Sequence, residues 1–130
     1  MLIPKRLLFT GYNTAHVTRH GRYALEMGAT IVHVGYGTLF PANPPANYHF
    51  IPVEPETTAT MRLMGFKADQ YAGFVAPGAK QLAAVAAEFK PDLCHAVGMD
   101  LTFHYAVHAG IRPLLVSAHG FLESLIYKEP

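Results

Sequence analysis

Apolar segments rich in β-branched and aromatic residues recur along the chain, each at the length of a single β-strand. There are five of them: Leu7–Thr10, Thr30–Gly35, His49–Val53, Leu93–Val97 and Leu114–Ser117. They lack the strict alternation of apolar and polar positions that is typical of a strand with one face in water. The pattern therefore predicts strands that are covered on both faces.

Segments with a helical spacing of apolar residues lie between most of these strands. The predicted helices are Thr14–Met27, Pro77–Phe89, Leu101–Ala109 and Phe121–Lys128. A glycine follows the first and the third of them, where a residue in the left-handed conformation commonly ends a helix. The alternation of strands and helices predicts one α/β domain over residues 1–130, an open parallel sheet of about five strands with helices on both faces.

Sheets of this kind bind ligands beyond the carboxyl ends of their strands, where the strand order reverses. Three turns are expected to meet there. They are the turn from Gly11 to Thr14 after the first strand, Asp100 after the fourth, and His119 with Gly120 after the fifth. These turns hold the candidate functional residues.

His119 is the strongest single candidate for a catalytic role. It follows a buried strand and precedes a glycine that lets a ligand approach the backbone. Its imidazole can donate to a sugar hydroxyl or carbonyl oxygen, accept a proton near neutral pH, or polarise a leaving group. The alternative is a ring that caps a loop carbonyl, and position alone does not decide between the two.

The turn at residues 11–14 offers backbone amides at the start of a predicted helix. These amides could hold an anionic group, with Asn13 or Thr14 as the helix cap. Only the first glycine of a G-x-G-x-x-G fingerprint is present, and bulky Tyr12 stands where a pyrophosphate needs close approach, so NAD binding is disfavoured. An ordinary strand-to-helix turn is the alternative. Asp100 is expected to cap the helix that follows it, where it could also contact a bound hydroxyl.

The remaining histidines and the single cysteine are expected to be structural. His104 and His108 have the i, i+4 spacing of two zinc ligands, but a third ligand is missing and no acid follows His104 as in H-E-x-x-H, so no metal site is predicted. His33 and His95 lie inside predicted strands, where we expect core or sheet-end residues bonded to backbone. Cys94 is expected to be a small buried hydrophobe and not a nucleophile.

Composition narrows the class of protein further. Hydrophobic residues make up 51% of the chain and charged residues 15%, which is enough for a real core. The net charge of +1 supplies no basic field, so nucleic acid is not an expected partner. One cysteine, no signal-like leader and no apolar run of about 20 residues predict a cytoplasmic protein.

Three segments carry a resemblance to a known family. Residues 90–98 are KPDLCHAVG, residues 108–120 are HAGIRPLLVSAHG and residues 22–34 are RYALEMGATIVHV. They are similar, in that order, to the segments KPDVVHAHG, AGIPLVVTVHG and LA..L...GH.V.V in the N-terminal half of GT-B glycosyltransferases, most closely family 4. The resemblance covers nearly the whole chain and implies a Rossmann-like fold.

The resemblance also implies a function. The chain would be the acceptor-binding domain of a retaining hexosyltransferase that takes its sugar from a nucleotide-sugar co-substrate, without a metal or other cofactor. His119 corresponds to the active-site histidine that contacts the donor sugar, and residues 11–14 to the glycine-rich loop near acceptor and diphosphate, although Tyr12 and Asn13 replace the usual paired glycines. The family's C-terminal donor-binding domain, with its E-x7-E motif, has no counterpart here. We therefore expect the chain to need such a domain or a partner subunit.

Residues 61–74 interleave Met and aromatic side chains with Arg62 and Lys67, and the pattern leaves the structure of residues 57–74 open. In family 4 the region after the third strand often helps to receive the acceptor, and many members work at a membrane surface. The resemblance thus implies a sugar, lipid or small-molecule acceptor and peripheral membrane contact through residues 61–74. A loop folded onto the core is the alternative for this segment. For the whole chain, the alternative is a small non-enzymatic α/β ligand-binding or interaction domain.

Overall fold

The computed structural model describes residues 5–11, 21–35, 44–53, 68–98 and 101–117, with the backbone alone at 68–72 and 74. The strands are β1 (Arg6–Thr10), β2 (Thr30–Gly35), β3 (Tyr48–Pro52), β4 (Leu93–Val97) and β5 (Leu114–Ser117). The helices are α1 (residues 21–26), α2 (Ala68–Phe89) and α3 (Leu101–His108). All five predicted strands are confirmed, each to within one residue at either end.

The five strands form one sheet in the order β3-β2-β1-β4-β5, and every neighbouring pair is parallel. This architecture confirms the predicted open parallel sheet and is Rossmann-like. The strand order reverses between β1 and β4, which makes the gap between their carboxyl ends the topological switch point.

Helices pack on both faces of the sheet, as predicted. The expectation of a strand buried on both faces before His119 is wrong, because Leu115 and Val116 of β5 are 49% and 38% exposed. Because side chains alternate along a strand, Leu8 of β1 packs on one face with residues of α2 and α3. Leu7 and Phe9 pack on the other face with Ala24 of α1. Cys94 lies on the α2 side and is buried, with burial raising the pKa of its thiol to about 12. A thiol with so high a pKa stays protonated near neutral pH, and the burial of Cys94 confirms the prediction of a small buried hydrophobe.

Helix α2 begins earlier than the sequence predicts. The predicted start at Pro77 is wrong, because the helix begins at Ala68 and carries Pro77 in its interior. Such a proline removes one backbone hydrogen bond and costs about 3 kcal/mol. Val75 on one side of it and Leu82 on the other are buried in the same core cluster, and this burial offsets the cost. Residues 68–74 thus form the first turns of α2.

Helices α2 and α3 approach each other closely at Gly78. A Cβ atom at this position would overlap the ring of Tyr105, so only a glycine permits the observed packing. Helix α3 has the predicted start and is followed by Gly110 with φ +68°, as its expected helix-ending role requires.

The segment from Lys90 to Asp92 lies at the amino edge of the sheet. Lys90 directly follows α2 and has a left-handed φ of 54°. A carboxylate oxygen of Asp92 accepts hydrogen bonds from the backbone N–H groups of Lys5 at 3.0 Å and Arg6 at 2.9 Å. The Arg6 side chain donates to the carbonyl of Phe89 at 2.7 Å and lies 4.4 Å from the centre of its ring. The segment therefore ties the start of β1 to the end of α2.

Candidate functional site

Bare backbone lines both sides of the switch point. Gly11 follows β1 with φ +148°, and a Cβ atom there would lie 2.7 Å from the carbonyl oxygen of Val97. Gly98 follows β4 with φ +93°, and a Cβ atom there would meet none of the residues that the structure describes. A ligand can therefore approach the main chain closely at the point where parallel sheets bind their ligands.

The carbonyl group of Gly11 contacts a buried histidine, His33. The Nε2 atom of His33 lies 2.7 Å from the Gly11 carbonyl oxygen, and its Nδ1 atom lies 2.7 Å from the hydroxyl of Tyr48. Since a carbonyl oxygen can only accept, Nε2 carries the ring proton and donates it. In the neutral ring Nδ1 then accepts from the Tyr48 hydroxyl, so the contacts themselves assign the tautomer.

Burial keeps both His33 and Tyr48 neutral. His33 is completely buried, and desolvation lowers its pKa from 6.5 to about 4, although the hydrogen bond to Gly11 opposes the shift. Desolvation also raises the pKa of Tyr48 to about 12. At neutral pH the site therefore contains an uncharged imidazole and an uncharged phenol.

Gly35 leaves the space that this arrangement needs. A Cβ atom at Gly35 would overlap the Gly11 carbonyl oxygen and would lie 2.5 Å from Nε2 of His33. The carbonyl of Gly11 thus points towards Gly35 of β2. The Cα atom of Gly11 lies close to Val97 on the β4 side. Residues of β2 therefore lie beside the site that β1 and β4 form, and Tyr48 of β3 contacts one of them, His33.

Thr10 brings an unsatisfied hydroxyl to the same edge. It is the last residue of β1, it is completely buried, and its Oγ1 atom has no hydrogen-bond partner among the described residues. A buried hydroxyl without a partner costs about 1 to 3 kcal/mol. An ordered water or a bound group would supply the missing bond.

A second histidine links β4 to β5. The Nε2 atom of His95 lies 2.7 Å from Oγ of Ser117, and its ring centre lies 5.0 Å from that of Phe9. His95 is a buried sheet residue, as expected, and this bond goes to a side chain of the neighbouring strand. The backbone N–H of Gly98 also donates to the Ser117 carbonyl at 2.7 Å. Both bonds fix the carboxyl end of β5 beside the switch point.

Of the residues predicted to form the site, the structure describes Gly11 and places it at the switch point. The others lie outside the described residues: Tyr12, Asn13, Thr14, Asp100, His119 and Gly120. The residues that lead into the three predicted turns all lie at the carboxyl edge of the sheet: Gly11, Gly98 and Ser117. The predicted meeting of the three turns itself stays a prediction.

The bond of His33 to the Gly11 carbonyl confirms the prediction of a core histidine bonded to backbone, but its place at the candidate site was not predicted. Thr10, Gly35 and Tyr48 were not predicted to support the site either. A glycine at the end of an apolar strand is a signal that could have drawn attention to Gly35. No local signal pairs His33 with Tyr48, because their contact depends on how β2 and β3 align. Sheet register decides this part of the site.

A surface pocket lies apart from the switch point, and the predicted histidine pair lies on α3. A surface pocket of about 670 Å³ is lined by Val107 and residues 110–114, at the amino end of β5 and so at the opposite edge of the sheet. His104 and His108 lie on α3, and within the described ranges no three His, Cys, Asp or Glu side chains are grouped to hold a metal ion.

The sheet and its switch point define a Rossmann-like α/β protein with a candidate ligand site between β1 and β4. No protein-family model matches the chain, and no curated protein matches it significantly. Within the part of the chain that the structure describes, no helix has both the length and the apolar character needed to cross a bilayer.

Proposed function

We propose that the chain is the acceptor-binding domain of a retaining GT-B glycosyltransferase similar to family 4. It would act with a C-terminal donor-binding domain or a partner subunit and would be inactive alone. The observation that carries the proposal is where the family-like segments lie. Residues 90–98 form β4 and the turn to Gly98, and residues 108–117 lead into and form β5, beside the switch point.

The chemistry of the described edge supports a neutral, hydroxyl-rich ligand. Gly11 and Gly98 present backbone, and behind them lie two uncharged groups: the buried Thr10 hydroxyl, which has no partner among the described residues, and the neutral ring of His33. Among the described residues at the carboxyl ends of β1 and β4, which are Thr10, Gly11, Val97 and Gly98, none has a charged side chain. Sugar hydroxyls can both donate to and accept from such groups, whereas a diphosphate would favour cationic ones.

The predicted residues outside the described ranges take their roles in this proposal from the family resemblance. His119 would contact the donor sugar and act as the catalytic residue. Residues 12–14, Asp100 and Gly120 would bind substrate together with Gly11. The acceptor would be a sugar, a lipid or another small molecule, and residues 61–74 would contact a membrane surface peripherally.

An NMR titration of the isotope-labelled chain tests the acceptor site. Maltose and octyl glucoside serve as acceptor probes, and uridine diphosphate serves as the nucleotide probe. We expect the acceptor probes to shift the amide signals of Gly11 and Gly98, while the signal of Asp92 at the opposite edge stays in place. Shifts confined to the amino edge, or none with any probe, would contradict the proposal.

A matched pair of threonine variants sharpens this titration. Thr10→Val removes the unpartnered hydroxyl at nearly constant volume, so it should weaken probe binding several-fold without lowering the free energy of unfolding. Thr30→Val makes the same chemical change at the start of β2, at the amino edge, and should leave binding unchanged. Equal binding by both variants would remove Thr10 from the site.

Transfer itself is tested with the assembled enzyme. His119→Ala should lower turnover by about 10² to 10³, the loss typical of one preorganised donor in a transition state, and leave the fold intact. Turnover near that of the unmodified enzyme would exclude this role. Acceptor binding without any transfer, when a donor-binding domain is supplied, would favour the alternative of a non-enzymatic ligand-binding domain.

Membrane contact is tested separately by co-sedimentation with vesicles that contain phosphatidylserine. At low salt the chain should sediment with them, and changing both Arg62 and Lys67 to Glu should abolish retention. Retention that is unchanged in the double variant, or absent in the unmodified chain, would assign the site to a water-soluble acceptor.

A further inference from the structure

We propose that His33 is a positioning residue for the candidate site, which holds the carbonyl of Gly11 and thereby fixes where the chain leaves β1. This role of His33 concerns the backbone at the edge of the sheet and does not depend on which ligand binds there. His33 can therefore position Gly11 whether or not the proposed function is correct.

The first observation is that one rigid ring joins three strands. His33 belongs to β2, its Nδ1 partner Tyr48 opens β3, and its Nε2 partner Gly11 follows β1. Both contacts are 2.7 Å long, so the ring has no freedom to turn without losing a bond. A side chain held at both ends in this way transmits the position of β3 to the end of β1.

The second observation is that the Gly11 backbone is enclosed from two sides. Its Cα atom faces the Val97 carbonyl, and its own carbonyl oxygen occupies space that any side chain at Gly35 would fill. The hydrogen bond from His33 lies on the Gly35 side. Steric contact thus limits where the carbonyl can go, and the imidazole N–H selects its orientation within that space.

A core histidine that merely satisfies its own polar atoms would have the same burial. His33 does pack against Phe50, with ring centres 5.0 Å apart, so a packing role is present in addition. The two interpretations differ in one respect. If His33 only packs, removing either ring nitrogen should disturb the Gly11 carbonyl to the same extent. If His33 positions Gly11, only the loss of Nε2 should move that carbonyl.

The unmodified chain gives the first test. A long-range 15N–1H NMR correlation at pH 7 reports which ring nitrogen carries the proton. We expect the Nε2–H tautomer for His33, with Nδ1 as an acceptor. The Nδ1–H tautomer or a charged ring at this pH would overturn the proposal, and this measurement does not depend on any variant folding.

Two substitutions then distinguish the roles of the two ring nitrogens of His33. His33→Gln places an amide N–H near the position of Nε2 and keeps a donor for Gly11, whereas His33→Asn places an acceptor near Nδ1 and leaves the Gly11 carbonyl without its donor. The readouts are the 13C signal of the Gly11 carbonyl and the 15N signal of Tyr12, which shares its peptide group. His49→Gln, an exposed position on β3, is the control.

We expect the two signals to stay near their original positions in His33→Gln and His49→Gln and to move in His33→Asn. Equal displacement in both His33 variants would show a packing role only and would overturn the proposal. Unchanged signals in His33→Asn would do the same. Because no ligand is added, these results do not depend on whether the chain binds a sugar.

Discussion

Acidification should destabilise this protein through His33, and the size of that contribution follows from the burial of the side chain. The folded chain holds this side chain neutral, with a pKa lowered from 6.5 to about 4. The unfolded chain takes up the proton near the ordinary pKa. Lowering the pH therefore favours the unfolded state, which binds more protons.

The direction and range of the effect are fixed by these two values. Above pH 6.5 both states hold a neutral ring, and the contribution of His33 to stability is fully present. As the pH falls from 6.5 towards 4 the contribution is progressively lost, and below pH 4 both states are charged. At 1.36 kcal/mol per pKa unit, the total loss is about 3 kcal/mol. That is a large fraction of the 5 to 15 kcal/mol that stabilises a typical domain.

Urea unfolding followed by circular dichroism at pH 7.5, 6, 5 and 4 measures this loss. The chain has 8 histidines, so the useful quantity is the difference between the unmodified protein and His33→Gln, in which the other groups cancel. Between pH 7.5 and 4 the free energy of unfolding should fall about 3 kcal/mol further in the unmodified protein.

Tyr48→Phe is the matched control for this experiment. It removes the hydrogen bond to Nδ1 but keeps the imidazole buried, and burial is the main cause of the low pKa. It should therefore retain most of the extra loss below pH 6.5. Parallel pH profiles for the unmodified protein and His33→Gln would refute the reasoning, because they would mean that the folded state admits the charged ring.

Three further predictions concern stability away from the candidate site, and urea unfolding at pH 7.5 measures each. Asp92→Ala removes the acceptor of two backbone hydrogen bonds at the start of β1 and should cost about 1 kcal/mol, while Asp92→Asn, which keeps an oxygen acceptor, should cost less. Lys90→Gly should raise the free energy of unfolding by about 1 kcal/mol, since it relieves a left-handed residue, and a loss would contradict the assigned φ. Gly78→Ala should cost about 1 to 3 kcal/mol by overlap with Tyr105. Replacing Tyr105 by Leu in that background should recover part of the cost, and additive costs would argue against a direct clash.

The strands could be predicted from the sequence because their signal is local. Strands of a parallel sheet in an α/β protein are commonly apolar runs, and each of the five apolar runs coincides with a strand to within one residue at either end. The bounds of β2, β4 and β5 agree with the prediction at both ends, and the helix-ending role of Gly110 follows from its chain position alone. Such features depend on the residues themselves and their immediate neighbours.

The start of α2 could not be predicted in this way. Pro77 and Gly78 together favour a helix beginning or a turn when only the local sequence is considered. The structure continues the helix through both, because Val75 is buried beside Leu82 and because the missing Cβ of Gly78 makes room for Tyr105 of α3. Contacts with a distant part of the chain outweigh the local preference.

For the candidate site, the sequence determined the edge of the sheet and the tertiary structure decided the contacts. The position of Gly11 after an apolar strand was enough to predict that it would lie where parallel sheets bind ligands. The bond from His33 to its carbonyl, and the bond from His95 to Ser117, required the strands to be aligned in one register. Register is set by packing across the whole sheet, because a slip of one residue would turn every side chain to the other face. For that reason no local pattern in this chain specifies which atoms meet at its candidate site.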